Sequence, residues 1–241
     1  MFYFDKIDGK KILKSDFIDN AFFTTREICI CDKGENDNSE VKNNIKIIEN
    51  YLGKNLVSPT QTHSANIDTA IENKFDYPDT DGLILTNKSQ AIFLNFADCT
   101  PIILYDKKQN IGAISHAGWR GTAQKITPKT VKKMVKEFNS NTKDIVAIIG
   151  PAICGKCYEV GEDVYKQLSA TIATPIPHTS PQEERNFYFD LKEINKIQLA
   201  EIGVEKVEVC PYCTCCDNDL FFSYRKENGT TLRHSAILKL L

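Results

Sequence analysis

Ala91-Ile92-Phe93-Leu94-Asn95-Phe96-Ala97-Asp98-Cys99-Thr100-Pro101-Ile102-Ile103-Leu104-Tyr105 holds two apolar runs joined by four small or polar residues. Each run is too short for an ordinary helix and rich in β-branched and aromatic side chains, so the stretch reads as strands over 91–96 and 101–105. Ile111-Gly112-Ala113-Ile114-Ser115-His116 supplies a third. Their nearly unbroken apolarity, in place of strict alternation, marks strands covered on both faces. Polar, chemically capable residues therefore stand where buried strands end.

On the N-terminal side, the first thirty residues read as short strands ending in Glu27-Ile28-Cys29-Ile30-Cys31, and 32–44 as a polar surface connection. Val41, Ile45, Ile48 and Leu52 recur at helical spacing, with Ser39 as N-cap and Gly53 as terminator. Residues 56–63 read as a strand running into a turn. On the C-terminal side, Val131, Met134, Val135 and Phe138 share a helix face, and Thr127-Pro128 offers a start with proline at the first position. A strand over 145–149 follows, then a helix over 162–172 and a loop over 174–185 that contains His178. The expected remainder is a strand at 187–189, a helix over 191–202, strands at 206–209 and 220–224, and a last helix over 232–240 with His234 on its face. No repeat, low-complexity tract or linker divides the chain, so 1–241 reads as one mixed α/β domain.

The composition removes several function classes. The 241 residues are 41% hydrophobic and 26% charged, enough for a sizeable core. Thirty basic against 32 acidic residues give a net charge of −2, without the basic footprint of a nucleic-acid binder. A small anionic substrate needs only a few local cations and stays open. No apolar run approaches a membrane span, and the N-terminus lacks the order of a signal peptide. Nine cysteines, an odd number in a long chain, then read as reduced thiols of a cytoplasmic protein.

Three segments place metal-capable groups at strand ends: Gln61-Thr62-His63, Ala97-Asp98-Cys99 and His116-Ala117-Gly118-Trp119-Arg120-Gly121. Two imidazoles and a thiolate suit zinc, and three protein ligands leave one position for a reactant. Spacing alone does not demand this. Cys99 as a core thiol, with both histidines satisfied by backbone, explains the same residues.

These segments, with Ala97-Asp98-Cys99-Thr100-Pro101, Ile149-Gly150-Pro151-Ala152-Ile153, Cys157-Tyr158-Glu159-Val160-Gly161 and Phe221-Phe222-Ser223-Tyr224-Arg225, occur in a specific order. In this the chain resembles the YfiH family, once labelled polyphenol oxidase or laccase and now regarded as purine nucleoside phosphorylases. The resemblance runs from about residue 20 onward. It implies an α+β single domain, a mixed β-sheet core flanked by helices, like the cytotoxic-necrotizing-factor fold. It also implies zinc on His63, Cys99 and His116 as the catalytic centre. The implied substrates are adenosine, inosine, guanosine and methylthioadenosine with phosphate, and adenosine deamination is implied alongside. Copper is the weaker choice of metal, since phenol oxidation by several coppers wants more than four histidines. The oligomer is left as monomer or homodimer.

Arg120, at the start of an expected helix, Arg26 in the family's first motif, and Arg225 and Arg233 in its last are the candidates for gripping phosphate. Relatives read T-G-R-Q where this chain has Thr231-Leu232-Arg233-His234, which puts the backbone around Arg233 in question. Asp98 and Glu159 are the acid–base candidates, Asp98 also as a carboxylate orienting a histidine. Cys154-x-x-Cys157 and Cys210-x-x-Cys213 could pair as a structural metal site, with Cys215 and Cys216 poorly spaced for one; reduced, partly buried thiols are the simpler reading. Trp119 reads as a core or pocket-wall aromatic. The rival chemistry keeps the site but uses Cys99 as a nucleophile with His116 as base, a cysteine hydrolase. A metal-binding or interaction module without turnover is the non-enzymatic alternative.

Overall fold

The computed structural model describes residues 1–34, 38–173 and 187–241. Strands β1 (Phe2–Ile7), β2 (Lys10–Ser15), β3 (Ala21–Thr24) and β4 (Cys31–Asp32) precede helix α1 (Ser39–Leu52). Then come β5 (Asn55–Val57), β6 (Ile67–Ala70), β7 (Gly82–Leu85), β8 (Gln90–Phe96), β9 (Thr100–Asp106) and β10 (Ile111–Ala117). Helices α2 (Trp119–Ala123) and α3 (Ile126–Phe138) lead to β11 (Ile145–Ile149), β12 (Glu159–Val160) and α4 (Glu162–Ser169). The chain continues through β13 (Phe187–Tyr188), α5 (Leu191–Glu201), β14 (Lys206–Val209) and β15 (Leu232–Lys239).

Two large sheets form. One has the order β1-β2-β3-β15-β8-β5, with β4 also on β15; the other runs β14-β11-β9-β10-β7-β6. Both are mixed: β5 joins β8, β6 joins β7 and β14 joins β11 in parallel, while the remaining pairs are antiparallel. Side-chain alternation then builds four layers. Ile92, Leu94 and Phe96 of β8 meet Leu83, Leu85, Ile103 and Ile114 between the sheets. The opposite faces of β9 and β10, Ile102, Leu104 and Ala113, lie under Val131 and Met134 of α3 and Leu199 of α5. Ala91 and Ile237 of the other sheet lie under Ile48 and Leu52 of α1. Both sheets are covered on both faces, which is why their central strands read as continuous apolar runs. Each fully buried Leu or Ile contributes roughly 1.5–3 kcal/mol, so the strand ends carrying the site rest on a stiff base.

Several local expectations need correction. The 232–240 segment is not a helix: β15 is a central strand between β3 and β8, and its two-sided burial imitates helical spacing. Residues 220–224 form turns, not a strand, with Phe221 and Phe222 buried without ladder bonds. Arg26–Ile28 is a 3₁₀ turn capped by Thr25. The N-cap of α1 is Asn38, whose side chain accepts from Glu40 and Val41, in place of Ser39. Helix α3 begins after Lys125 in the left-handed region, so Pro128 lies two positions inside its first turn. The expected loop over 174–185, with His178, lies outside the described residues.

Candidate metal centre and its cavity

The chain crosses from one sheet to the other through Ala97-Asp98-Cys99, between the end of β8 and the start of β9. So tight a corner requires Asp98 to take a left-handed backbone, φ 86°. Cys99 is thereby set at the mouth between the sheets. His116, near the end of β10, faces the same space, its ring 5.3 Å from that of Phe96. His63 arrives from a turn that is also left-handed at that residue, φ 64°. Gln61 fixes this turn by donating to the Asn95 carbonyl (3.0 Å) and accepting from its N–H (2.9 Å). Non-glycine residues held at positive φ beside one another mark a site whose surroundings impose the geometry.

Ligand atoms of His63, Cys99 and His116 all lie within 4.8 Å of one another. The two imidazole centroids are 4.8 Å apart, edge to face. Behind them Asp81, fully buried, accepts from His116 Nδ1 at 2.6 Å. The same carboxylate accepts from the N–H groups of Thr62 (3.1 Å), His63 (3.1 Å) and Ser64 (2.8 Å). One side chain thus orients the His116 ring and pins the backbone that carries His63, and its bond to Nδ1 leaves His116 Nε2 as the nitrogen open to a metal, a carboxylate–histidine–metal arrangement. Burial opposes ionisation of Asp81, but the His116 contact and the Ser64 and Thr62 N–H groups prevail and hold it well below the usual carboxylate range.

Burial pushes the Cys99 thiol up, yet the facing His116 charge and hydrogen bonds from His116 and His63 outweigh it, leaving about 6 in place of 9.0. Burial likewise disfavours charge on His116, and the Cys99 thiolate and Asp81 overcome it, raising the imidazole from 6.5 to about 9. The resulting thiolate–imidazolium pair is the donor set that a soft divalent cation would neutralise by displacing protons. Gly118 shows how closely the chain is fitted here. A Cβ at that position would lie 2.8 Å from Cys99 Sγ and 3.4 Å from the His63 ring. Thus the two histidines and the cysteine suit zinc by donor type, proximity and the carboxylate behind them.

A cavity of about 390 Å³ opens in front of these three groups, within the range of roughly 300–1,000 Å³ usual for small-molecule pockets. Its walls carry Tyr158 and Tyr224, and its cations are Lys33, Arg225 and Arg233. Arg225 donates to the Glu159 carbonyl at 3.0 Å, and Arg233 to the Thr230 and Leu232 carbonyls at 2.5 and 2.7 Å. Both line the cavity, and among the described residues neither is ion-paired with a carboxylate.

The comparisons bear on this arrangement. A family model described as "Multi-copper polyphenol oxidoreductase laccase" matches residues 26–240. The chain belongs to that family. "Purine nucleoside phosphorylase YlmD" of Bacillus subtilis is 35% identical over 64% of this chain, which spans 56% of that relative's length. "Adenosine deaminase RL5", from an unknown prokaryotic organism, is 32% identical over 71% of the chain and 70% of its own length. The crystal structure of YlmD from Geobacillus stearothermophilus covers all of this chain and 99% of its own, with TM-score 0.89 and 28% identity. An α+β fold with a mixed-sheet core follows for this member of the laccase-described family.

The other residues singled out from sequence scatter. Arg26 lies outside the cavity lining: Glu227 holds it through two contacts of 2.9 and 3.2 Å, and its guanidinium covers the Phe222 ring. Arg120 is exposed, stacked on partly buried Trp119 at 4.3 Å, also outside the lining. Glu159 is exposed and contributes its carbonyl, not its carboxylate, to Arg225. Asp98 lines the cavity, but it does not orient a histidine; it accepts from Thr214 Oγ1 and the Arg225 N–H, each at 2.7 Å. The carboxylate that does orient one is Asp81, which no sequence motif marks. Its only signal was a carboxylate placed immediately before the wholly apolar strand Gly82–Leu85. His234 is fully buried on β15, with neither ring nitrogen bonded to a side chain, and burial lowers it to about 3.

Proposed function

We propose that the chain, as one catalytic unit over 1–241, is a zinc-dependent purine nucleoside phosphorylase that also deaminates adenosine in a reducing, cytoplasmic setting. The reading is carried by one juxtaposition: a His63–Cys99–His116 donor set opening onto a cavity with uncompensated Arg225 and Arg233. Relatives named for both activities support it. A bound zinc would supply Lewis acidity at its open position. Zinc is preferred to copper because the described residues hold a three-donor set with one thiolate, not the many imidazoles that multi-copper oxidation uses.

The chain's own groups account for the rest. Lys33, Arg225 and Arg233 draw a phosphate dianion into the cavity and offset its charge. Asp98 holds the Arg225 backbone and Thr214, keeping that guanidinium in place. Tyr158 and Tyr224 supply flat apolar walls suited to a purine, and their hydroxyls are donors to its ring nitrogens or carbonyl. In phosphorolysis the bond from ribose C1′ to the base nitrogen breaks, an oxygen of the hydrogen-phosphate dianion bonds C1′, and the proton that phosphate gives up passes to the base, which leaves neutral. Inosine and phosphate should give hypoxanthine and ribose 1-phosphate, followed by chromatography. Lack of any phosphate-dependent base release from adenosine, inosine or guanosine by zinc-loaded protein would overturn the reading.

The Cys99–His116 pair favours a second reading, a cysteine hydrolase with Cys99 as nucleophile and His116 as base. The two separate cleanly. The phosphorylase loses activity to chelators and is protected by zinc from alkylation; the hydrolase loses activity to alkylation and is indifferent to chelators.

A further inference from the structure

A second group of cysteines lies outside the cavity. β11 and β14 are parallel neighbours, so the loops that follow them emerge at the same end of the sheet. The first loop carries Cys154-Gly155-Lys156-Cys157, and the second Cys213-Thr214-Cys215-Cys216. The sheet pattern carries on into them: Cys210 donates to the Ile149 carbonyl, Thr214 to the Ala152 carbonyl, and Ala152 bridges Cys213. Both loops turn back after the leading cysteine, with Cys157 N donating to the Cys154 carbonyl at 3.0 Å and Asp217 N to the Cys213 carbonyl at 2.7 Å.

The outcome is a four-sulfur cluster. Sγ atoms of Cys154, Cys157, Cys213 and Cys216 all lie within 4.8 Å of one another. Cys157 and Cys216 are 3.5 Å apart, and no disulfide forms. Sulfurs around a tetrahedral zinc at about 2.3 Å stand about 3.8 Å apart, so the cluster already has nearly the size that metal requires. Backbone N–H groups of Cys154 (3.2 Å) and Cys216 (3.4 Å) point at Cys213 Sγ, as donors do around a thiolate ligand. Lys156 within the first turn, and Arg225 with Nη1 3.5 Å from the Cys157 carbonyl, bring positive charge beside what would be a doubly negative tetrathiolate complex.

We propose that Cys154, Cys157, Cys213 and Cys216 bind a structural zinc ion. Two C-x-x-C turns closing on one cation fill all four positions, so the site has no place for a reactant and acts as a clamp. The pairing differs from the one the sequence suggested. Cys210 still lies in line with the sheet, buried, its thiol pushed up to about 12 by burial, and Cys216 takes its place. The clamp joins Ile153 and Tyr158 of the cavity wall to Thr214, which holds Asp98. A metal remote from the reaction thereby fixes the wall against which substrate sits.

Elemental analysis of the full chain tests this without any turnover assay. Wild type should carry two zinc ions, Cys99→Ala one, Cys216→Ser one, and the double variant none. Cobalt-loaded Cys99→Ala, in which the four cysteines are untouched, should show thiolate-to-cobalt charge-transfer bands and tetrahedral d–d bands. Absence of those bands, or the same zinc content in Cys216→Ser as in wild type, would overturn the proposal. So would a thiol titration of denatured, unreduced protein that falls four short of nine. Because Cys99→Ala lacks the other centre, failure of the phosphorylase reading leaves this result unaffected.

Discussion

Replacing Asp81 with asparagine keeps the shape of the side chain and removes what the site needs from it. One carboxylate oxygen accepts from His63 N and His116 Nδ1, the other from Thr62 N, Ser64 N and Ser64 Oγ. Asparagine has a single acceptor oxygen. Whichever way the amide turns, its NH₂ faces two ring or backbone N–H donors in a dry interior. Two such donors stripped of an acceptor cost about 2–6 kcal/mol together. Even about 2 kcal/mol lowers the melting temperature of a domain this size by roughly 4–8 °C. The His116 ring and the backbone that carries His63 also lose their orientation, and zinc affinity at the His63–Cys99–His116 centre should fall about 10–100-fold, as expected when a carboxylate behind a ligand is neutralised. Competition against a chromophoric chelator reads the affinity, and calorimetry reads the stability. An Asp81→Asn protein with unchanged melting temperature and zinc affinity would refute the assignment. The pH dependence has a definite sign. A carboxyl held below its ordinary 3.8 contributes fully above that pH, and the contribution is lost only as pH falls through the depressed value.

Further tests follow from the geometry. In metal-free protein the rate of Cys99 alkylation should rise with a midpoint near pH 6, set by the lowered thiol, and zinc should suppress it; a midpoint near 9 would show that no His116 pair forms. For stability, the Cys99 contribution is complete above 9.0 and is lost as pH falls through 6, whereas the His116 contribution is complete below 6.5 and is lost as pH rises through 9; the two offset each other, so this pair leaves stability nearly flat between 6.5 and 9. Arg225→Gln and Arg233→Gln should each raise the KM for phosphate about tenfold, near 1.4 kcal/mol. Arg26→Gln should leave that KM unchanged and lower stability by about 1 kcal/mol through its pair with Glu227, as calorimetry and phosphate titration would show.

The strand ends were legible because buried strands crossing a four-layer structure leave continuous apolar runs, and 91–96, 101–105, 111–116 and 145–149 appear where those runs stand. The residues brought together at their ends were legible mainly as motifs. His63, Cys99 and His116 converge, but spacing alone could not say that three separate elements meet. Asp81 was invisible because its partners are backbone N–H groups and a histidine 35 positions away, and nothing local records such a contact. Arg26 and Arg120 looked equivalent to Arg225 and Arg233. What separates them is the partner each one finds, Glu227 and Trp119 against carbonyls bordering the cavity. Cys216 was set aside for its adjacency to Cys215, although counting from Cys213 gives the required interval. The segment 232–240 failed for a different reason: a strand buried on both faces loses its period of two, and only its neighbours β3 and β8 reveal it.

That strand has a bearing on how the molecule is made. β15 lies between β3 and β8, yet residues 232–239 are synthesised more than 130 positions after β8. Until they leave the ribosome, β1–β3 and β8 have no strand to join them, and two sheet edges that are interior in the finished protein face solvent. A chain held on the ribosome with residues 232–239 still unexposed should therefore be bound by chaperones and cut by proteases between those two blocks, and both sensitivities should vanish together once those residues are outside.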